Sequence, residues 1–394
     1  MLNILPFCLL LSITFDDSLA LPDFGLHNLE LPKNFKRSND VSNTAATGIN
    51  YNPDGTPFLW LPQDEYAGKT FFDRWQFFTG PDPTSGTVDY VDNVTAFANG
   101  FAFVQDDGTV VMKADDTTSL PMGVNRQSVR ITSNAQYTTG LFILDITRAP
   151  WGCAVWPAFW TVGTDWPNHG EVDVLEGVHD NQFNQIAFHT TSGCILDANA
   201  SFTGTIPVQN GQNVTNCDAN VNSNSGCDTV EWSRSSYGPF FEAQGGGILA
   251  MKWDENDISI WSFYRAAIPT DVIAGTPNPS LWGLPSARLM NTMCDIPKFF
   301  ANHSIVFDIT FCGQWAGNSY ATSGCPGTCP ERLMDPANFV NATWNINSLK
   351  VYQKQLLSSN STTTTSVAIP GPTLTLSKTG IFLSFAIALL FSLW

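Results

Sequence analysis

Positive charge is scarce in this 394-residue chain: 18 Lys and Arg stand against 35 Asp and Glu, a formal net charge of −17. That balance argues against nucleic acid as a partner, because a phosphate backbone is bound through a basic surface that displaces its counterions. Charged residues of both signs amount to only 13%, while 43% are hydrophobic and 12% aromatic. This is too apolar for a disordered chain and ample for a buried core. No long stretch repeats apolar residues at helical spacing, and no segment of about 20 to 50 residues recurs, which argues against a propeller or a solenoid.

The two ends differ from the rest. Residues 2–15 (LNILPFCLLLSITF) form an apolar run that lacks a basic flank, followed by Ser18-Leu19-Ala20. Small residues at the first and third of these positions suit a signal peptidase, so residues 1–20 read as a secretion signal. Residues 21–54 read as an N-terminal extension, in which Lys36-Arg37 is either a propeptide cleavage site or a solvated charge pair. At the other end, residues 355–379 form a Ser/Thr-rich stalk and residues 380–394 an apolar tail. The tail is short for a bilayer span, which takes about 20 residues, and no basic residue follows it. Small residues, a polar spacer and an apolar tail are the layout of a glycolipid attachment signal; a plain transmembrane anchor is the competing reading. A glycolipid tether would be the chain's only connection to a membrane.

Cysteine usage fits export. Cys8 lies within the leader, which leaves Cys153, Cys194, Cys217, Cys227, Cys294, Cys312, Cys325 and Cys329, an even number that an oxidising compartment could pair completely in several ways. Cys325-Pro-Gly-Thr-Cys329 has no second close pair or nearby histidine cluster to complete a zinc shell, so structural disulfides are expected there. Sequons at Asn93, Asn199, Asn213, Asn302, Asn341 and Asn360 fit a glycosylated exterior.

Residues 55–354 read as the folded domain, and the pattern is β. In ILAMKWDENDISIWSFYR, Leu249, Met251 and Trp253 alternate with their neighbours, DEND interrupts, and Ile258 and Ile260 resume with period two, which is a hairpin. Ile305, Phe307, Ile309 and Phe311 share one face of another strand, and Leu349 and Val351 one face of the last. Short runs such as GFAFVQ, TVVMKA, QSVRITS, LFILDIT and QIAFHTT are separated by Gly, Asn, Asp and Pro clusters. Many strands without intervening helices mean a barrel or two packed sheets, and at this length an all-β sandwich of the jelly-roll type is favoured.

The segment Gly170-Glu-Val-Asp-Val-Leu-Glu-Gly177 carries the chemistry. On a regular strand Glu171 and Asp173 share a face while Glu176 points the opposite way, into the packed interior, where a lone carboxylate is costly. One extra residue between Asp173 and Glu176, a β-bulge, returns Glu176 to the face of Glu171. Three carboxylates then line one groove. Glycosidic cleavage with retention uses two carboxyl groups about 5 to 5.5 Å apart, one as nucleophile and one as acid/base, and needs no cofactor or metal. Close like charges raise the proton affinity of at least one of them, as a general acid requires. A calcium site would take more oxygen ligands, usually from a loop.

Aromatic residues surround this segment: Trp151, Trp156, Trp160 and Trp166 precede it and Trp315 lies in FCGQWAG. Trp156 and Trp160 share a strand face, and an indole is a good platform for the C–H face of a sugar. His189 follows one strand later, either as a hydrogen-bonded core histidine or as a groove residue.

The run CAVWPAFWTVGTDWPNHGEVDVLEGVHDNQFNQIAFHTTSGC resembles the active-site region of glycoside hydrolase family 16, in particular fungal laminarinase-like endo-β-1,3(4)-glucanases. The likeness extends through GTVDYV, KADDTTSL, NRQSVRIT, SYGPFF, FCGQWAG and GCPGTCP to KVYQ. The resemblance implies a concanavalin A-like jelly roll with a concave cleft, retaining cleavage of β-1,3 or mixed-linkage glucan, and a monomer. It implies Glu171 as nucleophile, Glu176 as acid/base and Asp173 as the assisting carboxylate. Trp156, Trp160, Trp166, His189 and Trp315 match sugar-contacting cleft positions, and Arg130 a glycone contact. Transglycosylation and non-catalytic glucan binding are the alternative activities.

Overall fold

The computed structural model describes residues 48–357. The leader, most of the extension, most of the stalk and the whole tail lie outside the described residues, as does Asn360. Two antiparallel sheets make up the domain, one of nine strands and one of seven. In the nine-stranded sheet, Asn50–Tyr51, Pro57–Tyr66, Thr343–Leu356, Gly140–Arg148, Gly247–Trp253, Asp257–Tyr264 and Ala287–Met290 follow one another, with Val110–Lys113 and Ala102–Val104 attached to the start of Thr343–Leu356. In the seven-stranded sheet the order is Cys227–Val230, Gln185–His189, Glu171–Glu176, Val155–Gly163, His303–Phe311, Arg130–Tyr137 and Trp75–Phe77. The expected hairpin pairs Met251 with Ile260 across its two strands.

Both boundaries of the folded part move outward relative to the sequence reading. Asn50–Tyr51 pairs with Pro57 and Phe58, so the boundary expected at 54/55 falls inside a hairpin. The last strand continues to Leu356, pairing Gln355 with Leu59. Polar side chains in both segments hid this, since an edge strand needs only its backbone to join a sheet.

The alternation read from the sequence decides which side chains fill the space between the sheets. Ile305, Phe307, Ile309 and Phe311 are all buried in the main core with Phe142, Leu144, Ile146, Leu349 and Val351. Phe307 stacks on Phe159 with ring centroids 4.7 Å apart and meets Trp344 edge-on at 5.4 Å. The residues that alternate with the core on the nine-stranded sheet, Leu141, Ile143, Ile248 and Ala250, are buried too, in a second cluster beneath Ile268, Val272 and Trp282. One sheet is thus covered on both faces. The seven-stranded sheet keeps a face on which polar side chains are retained.

All eight cysteines of the domain are paired: Cys153–Cys325, Cys194–Cys294, Cys217–Cys227 and Cys312–Cys329. Cys325 and Cys329 therefore do not pair with each other; each fastens the same loop to a different strand end. Asn93, Asn199, Asn213 and Asn302 are exposed, and Asn341 is half-buried.

Replacing Phe307 with Ala should cost about 3–5 kcal/mol, because it removes a fully buried ring at the centre of the sandwich. Equilibrium urea unfolding measures this; a loss under about 1 kcal/mol would show that the two sheets do not depend on this contact.

Candidate active site

The strand Glu171–Glu176 contains the expected bulge. Asp173 pairs with Ala187 and Glu176 with Gln185, so three steps on one strand match two on its neighbour. On the other side, Leu175 pairs with Phe159 and Asp173 with Trp160. Val174 and Leu175 are both fully buried although adjacent, and Glu176 returns to the open face. Asn184 satisfies the backbone at this irregularity: its side-chain oxygen accepts from the Glu176 N–H at 2.9 Å and its amide donates to the Val174 carbonyl at 2.9 Å.

Each carboxylate has its own partner. Trp166 Nε1 donates to Glu171, Trp156 Nε1 donates to Glu176 Oε1 at 2.7 Å, and His189 Nε2 lies 3.2 Å from Asp173 Oδ2. The other ring nitrogen of His189 lies 3.1 Å from Asn224 Oδ1. Gly226 lets that loop approach, since a Cβ there would come within 2.9 Å of the His189 ring. His189 is thus buried and hydrogen-bonded, with its ring beside the Asp173 carboxylate.

Burial and the Asp173 carboxylate push Glu171 up to about 8, partly opposed by His189, the Trp166 hydrogen bond and Arg130. The same two causes hold Glu176 well above the ordinary carboxylate range, opposed by Trp156 and His189 and reinforced by Glu171. Burial disfavours charge on His189, yet the hydrogen bond to Asp173 and the surrounding carboxylates raise its pKa to about 10. The row thus gathers an imidazole whose positive charge its carboxylates favour and two glutamates whose protons burial and Asp173 favour. Glu171, Asp173 and His189 each place one ligand atom within 4.8 Å of the others, so they are the group that could hold a cation. The proton on His189 answers the same carboxylates.

The row lies on the floor of a trough. One arm, about 380 Å³, is lined by Arg130, Trp156, Trp160, Trp166, Asp308 and Thr310 as well as the three carboxylates. The other, about 460 Å³, includes His189, Trp315, Gln185 and Asp228. All nine residues picked from the sequence thus face one trough. The Arg130 guanidinium lies between Phe78 and Trp160, 4.7 and 5.0 Å from their rings, and Trp156 meets Trp315 edge-on at 5.8 Å. Trp151 is structural: it packs against the core and donates to Glu242 at 2.7 Å.

Several lining residues escaped the sequence reading. Asp308 and Thr310 alternate with core residues of their strand, a signal that was present in SIVFDITF. Asp308 accepts from Trp160 Nε1 at 3.2 Å. Asp82 comes from a loop and gave no signal; its carboxylate collects Thr84, Thr310 and the Gly86 N–H.

Residues 75–352 match the XgeA-like catalytic domain family of glycoside hydrolase family 16. The chain belongs to glycoside hydrolase family 16. Among similar proteins, a Schizosaccharomyces pombe protein named as a probable glycosidase is 43% identical over 294 residues, 73% of this chain and 68% of that one. The endo-1,3(4)-beta-glucanase xgeA of Emericella nidulans is 37% identical over 303 residues, 74% of this chain and 47% of that one; the chain thus spans about half the length of that relative. Laminarinase 16A of Phanerochaete chrysosporium, solved with β-glucans in donor and acceptor sites, is 40% identical. It has a TM-score of 0.70 and covers 75% of this chain and 99% of its own. An elongating family 16 beta-1,3-glucosyltransferase is 37% identical with the same TM-score, covering 75% and 100%.

The histidine's influence is measurable in the family 16 fold itself. In His189→Ala the carboxyls of Glu171 and Glu176 lose a neighbouring cation and should titrate at higher pH than in the parent protein, as followed by carbon-13 NMR. Unchanged or lower titration midpoints would show that His189 does not act on them.

Proposed function

We propose that the chain is a retaining endo-β-1,3(4)-glucanase. The observation that carries this reading is the bulge that places Glu171, Asp173 and Glu176 side by side on the floor of a tryptophan-walled trough. Glu176 donates its proton to the glycosidic oxygen as Glu171 attacks the anomeric carbon, and the leaving chain departs as an alcohol. A glycosyl ester on Glu171 results. Glu176, now a carboxylate, takes a proton from water as the water oxygen displaces Glu171 and restores the original configuration. Asp173, paired with His189, steadies the charge between them. Trp156 and Trp166 orient the two glutamates, and Trp160 and Trp315 offer apolar faces to sugar rings.

A sugar hydroxyl can replace water in the second step, which makes glucan transfer the second reading. Its support is the likeness to the elongating glucosyltransferase and the second arm of the trough, which has room for an acceptor.

We also infer export and a glycolipid tether. Four disulfides need an oxidising compartment, and the apolar tail behind a Ser/Thr spacer supports the anchor. Phosphatidylinositol-specific phospholipase should release the protein from membranes; retention with a peptide ending at Trp394 would refute the tether.

Proton NMR of early products from laminarin should show the β-anomer first, and initial α-anomer would exclude double displacement. Glu176→Ala should lower the rate on glucan about 10²–10⁴-fold and, with azide and an activated aryl donor, give the β-glycosyl azide. Glu171→Ala should be more damaging and give the α-glycosyl azide. Interchanged products would reverse the two roles.

A further inference from the structure

The turn that carries Trp315 is tied to the strand that carries Trp156 by a histidine outside the catalytic row. His179 is buried and its backbone is left-handed (φ 59°), as is that of Ala154 opposite it (φ 77°). Residues with a Cβ keep such a conformation only where their surroundings hold them in it. Hydrogen bonds do so here. The His179 N–H donates to the Val155 carbonyl at 3.0 Å, its carbonyl accepts from the Gly152 N–H at 3.0 Å, and its ring Nδ1 accepts from the Ala154 N–H at 3.1 Å.

The last of these bonds decides where the ring proton sits. A backbone N–H can only donate, so Nδ1 presents its lone pair and the neutral imidazole carries its proton on Nε2. Nε2 lies 3.2 Å from Ser319 Oγ and is therefore the donor, while the hydroxyl donates onward to the Trp315 carbonyl at 2.8 Å. One directed chain thus runs from Ala154, two residues before Trp156, to Trp315. The two indoles meet edge-on in a small apolar cluster with Val178 and Ala316, and both line the trough. His179 lines neither arm of it, so it acts on a glucan only through its neighbours.

A second proton, on Nδ1, would set two N–H groups against each other and break the chain at its first link. Among the described residues, the titratable groups facing the ring are Asp180, next in sequence, and Tyr320, whose ring meets it edge-on at 5.4 Å; Arg332 faces Asp180. Burial holds the imidazole below its ordinary value of 6.5, opposed by Asp180 and by a backbone hydrogen bond to Ala316. The chain is therefore intact above that ordinary value and is lost as the pH falls through the lower, folded one.

We propose that His179 is a positioning residue: as the Nε2–H tautomer it pins the turn bearing Trp315 to the strand bearing Trp156, and it releases that turn when the ring becomes cationic. The inference rests on the β-glucanase reading for its kinetic readout. It goes beyond that reading by making glucan affinity depend on a proton held outside the catalytic row.

Nitrogen-15 NMR of the intact protein reads the tautomer directly. Nδ1 should resonate as a bare, pyridine-like nitrogen and Nε2 as a protonated one, and the Ala154 amide should lose its hydrogen-bonded shift as His179 titrates. On laminarin at neutral pH, Ser319→Ala should raise KM about two- to tenfold, the worth of one neutral hydrogen bond, with kcat within about twofold of the parent. His179→Asn tolerates the left-handed backbone and never takes a charge, so it should show the raised KM at every pH. The parent's KM should climb toward that of the variant only on acidification. An Nδ1–H tautomer, or a parent KM that matches that of His179→Asn across the pH range, overturns the proposal. A parent inactive on laminarin at every pH would refute the β-glucanase reading instead, and the tautomer and the Ala154 shift would still decide whether the pin exists.

Discussion

Val174 and Leu175 are neighbours on a strand, and both are fully buried. A regular strand sends adjacent side chains to opposite faces, so this burial demands an extra residue in the ladder. The apolar pull of two interior side chains and the hydration of the glutamate that follows are satisfied together only by that local turn of the backbone. Asn184 makes the arrangement durable by bonding backbone groups on both sides of it. Everything chemical in the trough follows from this placement: without it, Glu176 would face Phe159 and Phe307 instead of Trp156.

The electrostatics rest on one cation among three carboxyls. The Asp173 carboxylate favours the charged form of His189, while burial and Asp173 together favour protons on Glu171 and Glu176. Asymmetry comes from the surroundings, since Trp166 and Arg130 act on Glu171 while Trp156 acts on Glu176. An almost symmetric sequence motif thereby becomes two chemically distinct groups.

Much of this was legible before any coordinates. Period-two patterning identified the strands, and the cost of burying Glu176 pointed to the bulge. What stayed hidden has physical reasons. The disulfide partners depend on where loops return, which no local pattern encodes, so the connectivity stayed open. Asp82 and Asn224 reach the trough from loops whose course depends on close approaches such as Gly86 against Thr310. Trp151 and Trp156 look equivalent in the sequence, yet one is spent on Glu242 and the other on Glu176. Asp308, by contrast, is readable from its alternation with Phe307 and Ile309 in SIVFDITF.

The wall carrying Trp315 follows directly after Cys312, and the loop beyond it is fastened at Cys325 and Cys329. These two bonds join that loop to the neighbouring ends of Val155–Gly163 and His303–Phe311, on one side of the carboxylate strand, and Cys153, Cys312 and Cys329 are themselves part of the main core. Reduction would therefore loosen both the rim that carries Trp315 and the interior beneath it, which makes thiol chemistry a lever on the shape of the trough.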